Sequence, residues 1–298
     1  MDGDIGKGFL IMELIELLKY MLLGFIQGIT EVLPISSSGH VAIMQEIMNT
    51  SFDEGLVFLS LINLGSFLAL VIYFRNRLIE LIEAFWQYVV KKERDSETIN
   101  NYQYGMKLIV ATLPIAVVGL FFAGTIDQIY QMYPFVMVGF GLLVTSTFLF
   151  IVREKPKKYV DTTIDYKTAV MVGILQPLSL LPGLSRSGIT TSGGLLKKVS
   201  LTTALRFSML LYIPISFGSV LLFLIYFLQN PDPTVYGFDP TNGVQIIYYF
   251  VSFTMSFIAT LMGLKYLFKY FERGKLIYFA VYTMVLGTLS LVIGLMNL

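Results

Sequence analysis

The sequence contains no cysteine, and this absence excludes disulfide bonds and thiolate metal sites. Histidine is nearly absent as well, because His40 is the only one in 298 residues. Charged residues make up 14% of the chain, whereas a soluble domain carries roughly a quarter. Hydrophobic residues make up 55% instead, which is not the composition of an ordinary soluble domain.

Six apolar runs approach or reach the roughly 20 residues that a helix needs to cross a bilayer. They are residues 55–74, 108–124, 134–152, 207–228, 246–264 and 276–295. The bilayer core contains no water to hydrogen-bond with the backbone N–H and C=O groups, and a helix pairs these groups within itself. We therefore expect an all-α, multi-pass protein of the plasma membrane, with residues 1–298 forming a single membrane domain. The first twelve residues resemble a signal peptide poorly, so the N-terminus is expected to be mature.

Lysine and arginine are distributed unevenly between the apolar runs. Segments 75–107, 153–167, 197–206 and 265–275 carry them, whereas segments 41–54, 124–133 and 229–244 carry none. The positive-inside rule places the first group in the cytoplasm, and the six spans then alternate without conflict. Residues 9–40 and 168–196 are left over, and both are interrupted by Pro, Gly and Ser. We expect both to form re-entrant helical hairpins that face protein or a wet cavity.

The two remaining segments resemble each other. "GFIQGITEVLPISSSG" from Gly24 aligns without a gap with "GILQPLSLLPGLSRSG" from Gly173, at an offset of 149 residues. This indicates two repeats, about 9–152 and 164–298, each with one hairpin and three crossings. Because three is odd, the second repeat would enter the membrane inverted, as in many transporters.

The two loops together carry polar groups that are costly inside a membrane. The first loop carries Gln27, Glu31, Ser36, Ser37, Ser38 and His40, and the second carries Ser185, Arg186, Ser187, Thr190 and Thr191. A guanidinium fork and helix N-termini both suit phosphate oxygens. An imidazole suits proton transfer near neutral pH. The combination indicates phosphate chemistry, with Glu31 as a partner of the imidazole, a ligand for a divalent cation, or a base.

Simpler interpretations compete with this one. His40 could be an ordinary loop residue, Glu31 and Arg186 could form a structural ion pair, and the serines could cap a helix. Trp86 and the tyrosines are typical of interfacial anchors, and the basic residues of 75–94 are typical of a solvated cytoplasmic face.

Two longer stretches resemble a known family. "QGITEVLPISSSGH" is similar to the (E/Q)xxxE and serine-rich motif of the bacitracin-resistance family, the undecaprenyl-pyrophosphate phosphatases, and "LLPGLSRSGIT" resembles its PGxSRSxxT motif. The order of the motifs agrees, and "ALRFSMLLYIPISFGS" from Ala204 resembles the stretch that follows the second motif.

The resemblance implies an enzyme that removes the terminal phosphate from undecaprenyl diphosphate and recycles the carrier lipid of cell-wall synthesis, which confers bacitracin resistance. It implies His40, Glu31, Ser37 and Arg186 as catalytic residues, with His40 as nucleophile or as base for Ser37 or water. The predicted substrate-binding residues are Gln27, Ser36, Ser38, Ser185, Ser187 and Thr190. Glu31 and Gln27 would hold Mg²⁺ or Ca²⁺, although Gln27 stands where many members have glutamate.

The inverted repeat also suggests a second function, a polyprenyl-phosphate transporter or flippase. Another lipid-phosphatase superfamily with SGH and SR elements is excluded, since its site needs two histidines and this chain has one. The partners expected are a polyprenyl diphosphate and the bilayer, with no nucleic acid, and a homodimer is left open.

Overall fold

The computed structural model describes residues 2–50, 56–154, 163–271 and 275–297, and the part described is entirely helical. The α-helices are α1 Asp2–Val32, α2 Ser37–Met48, α3 Leu56–Tyr73, α4 Arg75–Trp86, α5 Ser96–Met132, α6 Pro134–Val152, α7 Tyr166–Leu175, α8 Arg186–Leu196, α9 Leu201–Gln229, α10 Gly243–Phe271 and α11 Leu276–Met296. A π-helical turn, Gln87–Lys91, extends α4, and short 3₁₀ turns occupy Gln176–Leu180 and Pro233–Tyr236.

Five helices, α5, α6, α9, α10 and α11, are long and apolar enough to cross a membrane. A sixth span results if α3 and α4 are counted together, although the chain bends by 72° between them. The apolar runs of the sequence thus become helices at the predicted places. The protein is an all-α, multi-pass membrane protein.

Helices α1 and α2, and likewise α7 and α8, pack on each other across short breaks, and that these hairpins re-enter the membrane stays a prediction. The predicted interruption of residues 9–40 falls at residues 33–36, which contain Pro34 and Ser36 and separate α1 from α2. Gly24 and Gly28 lie inside α1 because they serve helix packing. In the second hairpin, the 3₁₀ turn Gln176–Leu180 and residues 181–185 do separate α7 from α8.

Small residues allow the helices of the two halves to pack closely. A Cβ at Gly28 would lie 2.8 Å from Cβ of Ala259 on α10, so α1 and α10 are in near-backbone contact. α6 and α11 pack in the same manner, since a Cβ at Gly139 would lie 2.5 Å from the backbone nitrogen of Leu291. Without a hydrophobic drive between helices in lipid, such close packing is a main source of association.

The helix pairs match the arrangement that two repeats would give. α1 packs on α10 and α7 packs on α5. Shifting α5 by 149 residues places it at 245–281, where α10 lies. Each first helix therefore packs on the corresponding helix of the other half, and the inversion of the two halves across the bilayer stays a prediction.

Helix α7 begins with a capping carboxylate outside the apolar region. The backbone N–H of Thr168 donates a 2.8 Å hydrogen bond to Oδ1 of Asp165. Hydrogen bonds from the side chain and the backbone of Thr168 lower the pKa of Asp165. The cap fixes the start of the second hairpin.

Candidate functional site

The two loops end in the same local structure, a serine that caps the following helix. Oγ of Ser36 accepts a 3.2 Å hydrogen bond from the backbone N–H of Gly39, and Oγ of Ser185 accepts a 3.1 Å bond from that of Gly188. These pairs are equivalent in the repeat, 149 residues apart. The N-termini of α2 and α8 therefore both open towards the region between the loops, where they favour an anion.

The loops are also bonded to each other and to α6. Oγ of Ser187 donates a 3.0 Å hydrogen bond to the carbonyl of Leu33. The backbone N–H of Ser185 donates to Oγ1 of Thr145 on α6 over 2.8 Å. Gly183 has φ of 87°, and a Cβ there would overlap the backbone of Val138. The second loop is thus held tightly against α6.

An ion pair joins the two halves of the chain at this point. Nη2 of Arg186 donates to Oε1 of Glu31 over 2.7 Å, and both side chains are nearly buried. A buried charge of either sign is expensive in a membrane unless it is paired. This contact brings together two residues that lie 155 positions apart in the chain.

The second oxygen of Glu31 is held from the first half of the chain. Its Oε2 accepts hydrogen bonds from Oγ of Ser37 over 2.6 Å and from Nε2 of Gln27 over 2.9 Å. The same Gln27 nitrogen donates to Oδ1 of Asn63 on α3 over 2.8 Å. The carboxylate is therefore fixed between a hydroxyl, an amide and a guanidinium.

Arg186 keeps part of its bonding capacity free. Its guanidinium carbon lies 4.0 Å above the ring centre of Tyr212, a cation–π contact, and the Tyr212 hydroxyl donates to the carbonyl of Asn63 over 3.3 Å. Within the described part of the chain, Nη1 of Arg186 is buried and has no hydrogen-bond partner. A buried unpaired donor on a cation calls for an anionic ligand.

His40 lies apart from this group. Its Nδ1 is 2.6 Å from the carbonyl of Ser36, and because a carbonyl can only accept, Nδ1 donates. In the neutral imidazole Nε2 then accepts from the hydroxyl of Tyr282 on α11, 2.7 Å away. Both ring nitrogens are thus engaged by protein, and the ring stacks on Tyr282 with centroids 5.5 Å apart.

A cavity of about 420 Å³ lies between the loops and helices α3 and α9. Of the predicted site residues, those that line it are Glu31, Ser36, Ser37, Ser38, Ser185, Arg186 and Ser187. The predicted residues Gln27, His40 and Thr190 are not among its lining residues. The Oγ1 of Thr190 is bonded to the carbonyl of Arg186 and to Ser208, so it supports the start of α8 from behind.

Much of the rest of the cavity lining is apolar and belongs to α3 and α9, which also contribute Ser60, Ser216 and Ser219. Its main apolar members are Leu61, Leu64, Phe67, Ile215, Val220, Phe223 and Leu224. A polar end and an apolar wall in one cavity suit an amphiphilic ligand, with an anionic head between the loops and a hydrocarbon chain along α3 and α9.

Sequence reasoning missed four residues that complete the site: Asn63, Thr145, Tyr212 and Tyr282. Asn63, Thr145 and Tyr282 stand in apolar runs without a motif, and only their contacts identify them. Tyr212 lies in the stretch "ALRFSMLLYIPISFGS", where an isolated tyrosine among apolar residues was the available signal.

The side chains around Glu31 show whether the predicted metal site has enough ligands. Within the described residues, no group of three or more His, Cys, Asp or Glu side chains could hold a metal ion. Mg²⁺ is commonly held by one or two carboxylates together with substrate phosphates. Glu31 lines the cavity and would be the residue to share a cation with a diphosphate, whereas Gln27 does not line it and its amide nitrogen is bonded to Glu31 and Asn63. The same residues do not fit a cation held by protein alone, because Arg186 lies 2.7 Å from the same carboxylate.

The fold and the site define a class: a multi-pass membrane protein with an anion-directed polar pocket beside an apolar cleft. Comparison with known proteins then identifies the family. Residues 20–289 match the profile of the bacitracin resistance protein BacA, and the chain belongs to this family, as the two motifs predicted.

Curated relatives cover nearly the whole chain. The chain is 36% identical over 276 residues to Undecaprenyl-diphosphatase 2 of Bacillus thuringiensis (strain Al Hakam), covering 93% of this chain and 97% of the relative. It is 34% identical over 278 residues to Undecaprenyl-diphosphatase of Oceanobacillus iheyensis, covering 93% and 96%. It is 35% identical over 285 residues to Undecaprenyl-diphosphatase of Acholeplasma laidlawii, covering 93% and 97%.

Proposed function

We propose that this protein hydrolyses undecaprenyl diphosphate to the monophosphate and inorganic phosphate within the membrane. The family and the names of the relatives support this function. One observation carries the mechanism: Ser37, Glu31 and Arg186 form a bonded series across the two loops, with separations of 2.6 and 2.7 Å, at the polar end of the cavity. A hydroxyl, a carboxylate and a guanidinium in contact are the groups that phosphoryl transfer to a serine requires.

Arg186 and the two helix N-termini bind the terminal phosphate. The free Nη1 of Arg186 donates to a phosphoryl oxygen, and the backbone N–H groups at the starts of α2 and α8 add partial positive charge. In a site shielded from water, such fixed donors stabilise the charge of the transition state strongly. The prenyl chain lies along the apolar wall of α3 and α9.

Ser37 is the proposed nucleophile and Glu31 its base. The Ser37 oxygen bonds to the terminal phosphorus while the bond from that phosphorus to the bridging oxygen breaks. Glu31 takes the proton of Ser37 and passes it to the departing monophosphate. Water then attacks the phosphoserine, its proton passes through Glu31 to the Ser37 oxygen, and inorganic phosphate leaves.

His40 takes a positioning role in this scheme. Its ring bridges the Ser36 carbonyl and Tyr282, so it holds the residue that precedes Ser37. Its predicted role as nucleophile or base remains the competing hypothesis. A divalent cation bound by Glu31 would neutralise charge on the diphosphate.

Release of inorganic phosphate by the purified protein in detergent tests the function. The expected result is steady release from undecaprenyl diphosphate with no membrane gradient, and release at least about 100-fold slower from a Glu31→Gln preparation. The transporter alternative predicts the opposite: no phosphate release in detergent, but movement of the lipid across reconstituted vesicles. The relatives' names do not favour that alternative.

The nucleophile can be identified separately. Rapid quenching in a neutral denaturant, which preserves both phosphoserine and phosphohistidine, followed by mass spectrometry that localises the modified side chain, should find phosphate on Ser37. Phosphate on His40, or continued phosphate release by a protein on which no phosphoryl group is ever trapped, would contradict the serine mechanism.

A further inference from the structure

Helix α4 does not continue in the direction of the apolar helix α3 that precedes it. The chain bends by 72° between α3 and α4 at Phe74. Helix α3 carries an apolar run of membrane length, and spanning helices tilt by about 20° on average from the bilayer normal. With α3 along the normal, α4 lies about 18° from the membrane plane, and a tilt of α3 by about 20° keeps α4 within about 40° of that plane, on the side that the charge pattern assigns to the cytoplasm.

One stripe of α4 and the π-turn is apolar and exposed. Ile79, Ile82, Trp86 and Val90 recur every three or four residues, and their exposed fractions are 51%, 69%, 57% and 51%. Phe85 and Val89 extend the stripe along one side. Phe85 also contacts the ring of Tyr102, but about half or more of each of these large apolar side chains faces outwards, which is typical of a helix that lies on a membrane.

The opposite side of α4 is docked on the start of α5, which fixes the direction of the stripe. Leu81 and Ala84 are buried. Nη1 of Arg77 donates to Oδ1 of Asn101 over 2.8 Å, and the rings of Tyr88 and Tyr102 stack with centroids 3.9 Å apart. The stripe therefore cannot turn inwards without breaking this contact.

Basic residues flank the stripe at both ends. Arg75 is exposed before it, and Lys91, Lys92 and Arg94 are exposed after it. The acidic residues Glu80 and Glu83 line a small polar cavity with Gln87 and Asp95, and Glu83 borders one edge of the stripe because it follows Ile79 by four residues. Basic residues thus outnumber acidic ones at the two ends of the stripe, where Glu93 pairs with Lys91, and this excess suits anionic lipid headgroups.

We propose that α4 and the π-turn form an interfacial anchor that binds the cytoplasmic leaflet through the Ile79–Val90 stripe and prefers anionic phospholipids. The occupant of this face is the bilayer surface. The anchor fixes the depth of α3, which carries Asn63 and the apolar wall of the cavity. Anchoring does not depend on the proposed catalytic mechanism.

Trp86 reports on this contact directly because it is the only tryptophan in the chain. The full-length protein would be reconstituted into bilayers with lipids brominated either near the glycerol end or near the methyl end of the acyl chain. We expect stronger quenching of Trp86 by the shallow bromines, together with protection from iodide. Iodide access equal to that of free tryptophan, or stronger quenching by the deep bromines, would overturn the interfacial position. Protection from iodide without quenching by either lipid would also overturn it, since Trp86 would then be covered by protein.

The headgroup preference has its own test. In mixed bilayers, brominated phosphatidylglycerol should quench Trp86 about fivefold more effectively than brominated phosphatidylcholine at equal fraction, as expected for about one net basic residue near the surface. The double variant Lys91→Gln/Lys92→Gln should lose this preference and keep the shallow depth. Lys197→Gln/Lys198→Gln, an exposed pair elsewhere, is the matched control and should retain it. Equal quenching by both headgroups in the unaltered protein, or equal loss in both variants, would overturn the preference.

Discussion

The junction of α1 with α2 and the junction of α7 with α8 share a shape but not a chemistry. Equivalent serines, Ser36 and Ser185, cap the two helices, and their hydrogen bonds differ by only 0.1 Å. The next serines repeat as well, since Ser38 and Ser187 lie 3.3 and 3.2 Å from those caps. The repeat therefore preserves the serine caps at the two helix starts, although Ser36 has φ of 72° and Ser185 has φ of −82°.

The charged groups are divided between the junctions. Glu31 corresponds to Leu180, and Ser37 corresponds to Arg186. Even an identical pair differs, because Gln27 bonds to Glu31, whereas Gln176 donates to the carbonyl of Ala111 on α5. Neither junction alone combines nucleophile, base and cation. The contact between Glu31 and Arg186 makes one site from two anion-binding turns.

The largest expected effect comes from removing the carboxylate of Glu31, the only one among the site residues of the two junctions. Glu31→Gln keeps the shape but cannot take a proton, and the loss of a base lowers rates by about 10²–10⁴-fold. Phosphate release at saturating substrate measures it. Leu180→Gln, which places the same amide at the equivalent position of the second junction, is the control and should keep most of the rate. A Glu31→Gln protein with normal turnover would remove the base from our scheme.

A second effect tests the backbone of the second junction. Gly183→Ala should destabilise the protein by about 2–5 kcal/mol, because alanine is disfavoured at φ of 87° and its Cβ would overlap Val138. Thermal unfolding in detergent measures the loss. Gly105→Ala on α5 is the control, since a Cβ there meets nothing within 4 Å and alanine favours a helix. Equal melting temperatures for Gly183→Ala and the unaltered protein would contradict the packing described.

The role of His40 gives a third, smaller effect. His40→Asn, which keeps a donor near the Ser36 carbonyl, and Tyr282→Phe should each lower phosphate release by about tenfold, the equivalent of one hydrogen bond. The double variant should lower the rate of phosphate release by less than the product of the two single reductions, because both residues act through the same hydrogen bond. If His40 were the base, His40→Asn would fall to background while Tyr282→Phe would leave the rate unchanged.

The smallest effect separates the two caps. Ser185→Ala should cost about 1 kcal/mol of stability, as is usual for a helix cap. Ser36→Gly should cost less, because glycine tolerates the φ of 72° that Ser36 adopts. Denaturant titration of the two variants compares them. Equal costs would show that the positive φ of Ser36 stores no strain.

Much of this arrangement could be predicted from the sequence because it depends on local pattern. Apolar runs of membrane length identified the spans. The repeat placed Glu31 and Arg186 on equivalent loops, and the cost of a lone arginine in lipid required a partner for it, which the structure shows to be Glu31. Motifs and apolar runs therefore predict where the spans lie and which charged residues need a partner.

Other features depend on contacts between helices distant in sequence. Nothing around Tyr282 or Asn63 marks them, because each is one polar residue in an apolar run. The interruption of residues 9–40 could be expected from its proline and serines, whereas the role of Gly24 and Gly28 in making room for α10 could not. The direction of the His40 ring could not be foreseen either, because it depends on which helix packs behind the loop.

The order of synthesis gives the ion pair a further consequence. Glu31 leaves the ribosome 155 residues before Arg186, which at 5–20 residues per second corresponds to roughly 8–30 s. During that interval the nascent first half must accommodate a carboxylate whose partner has not yet been made, at a cost of about 2.5–3.5 kcal/mol on insertion scales. Gln27 and Ser37 belong to the same half and hydrogen-bond to Glu31. These two bonds can stabilise the carboxylate before Arg186 has been synthesised.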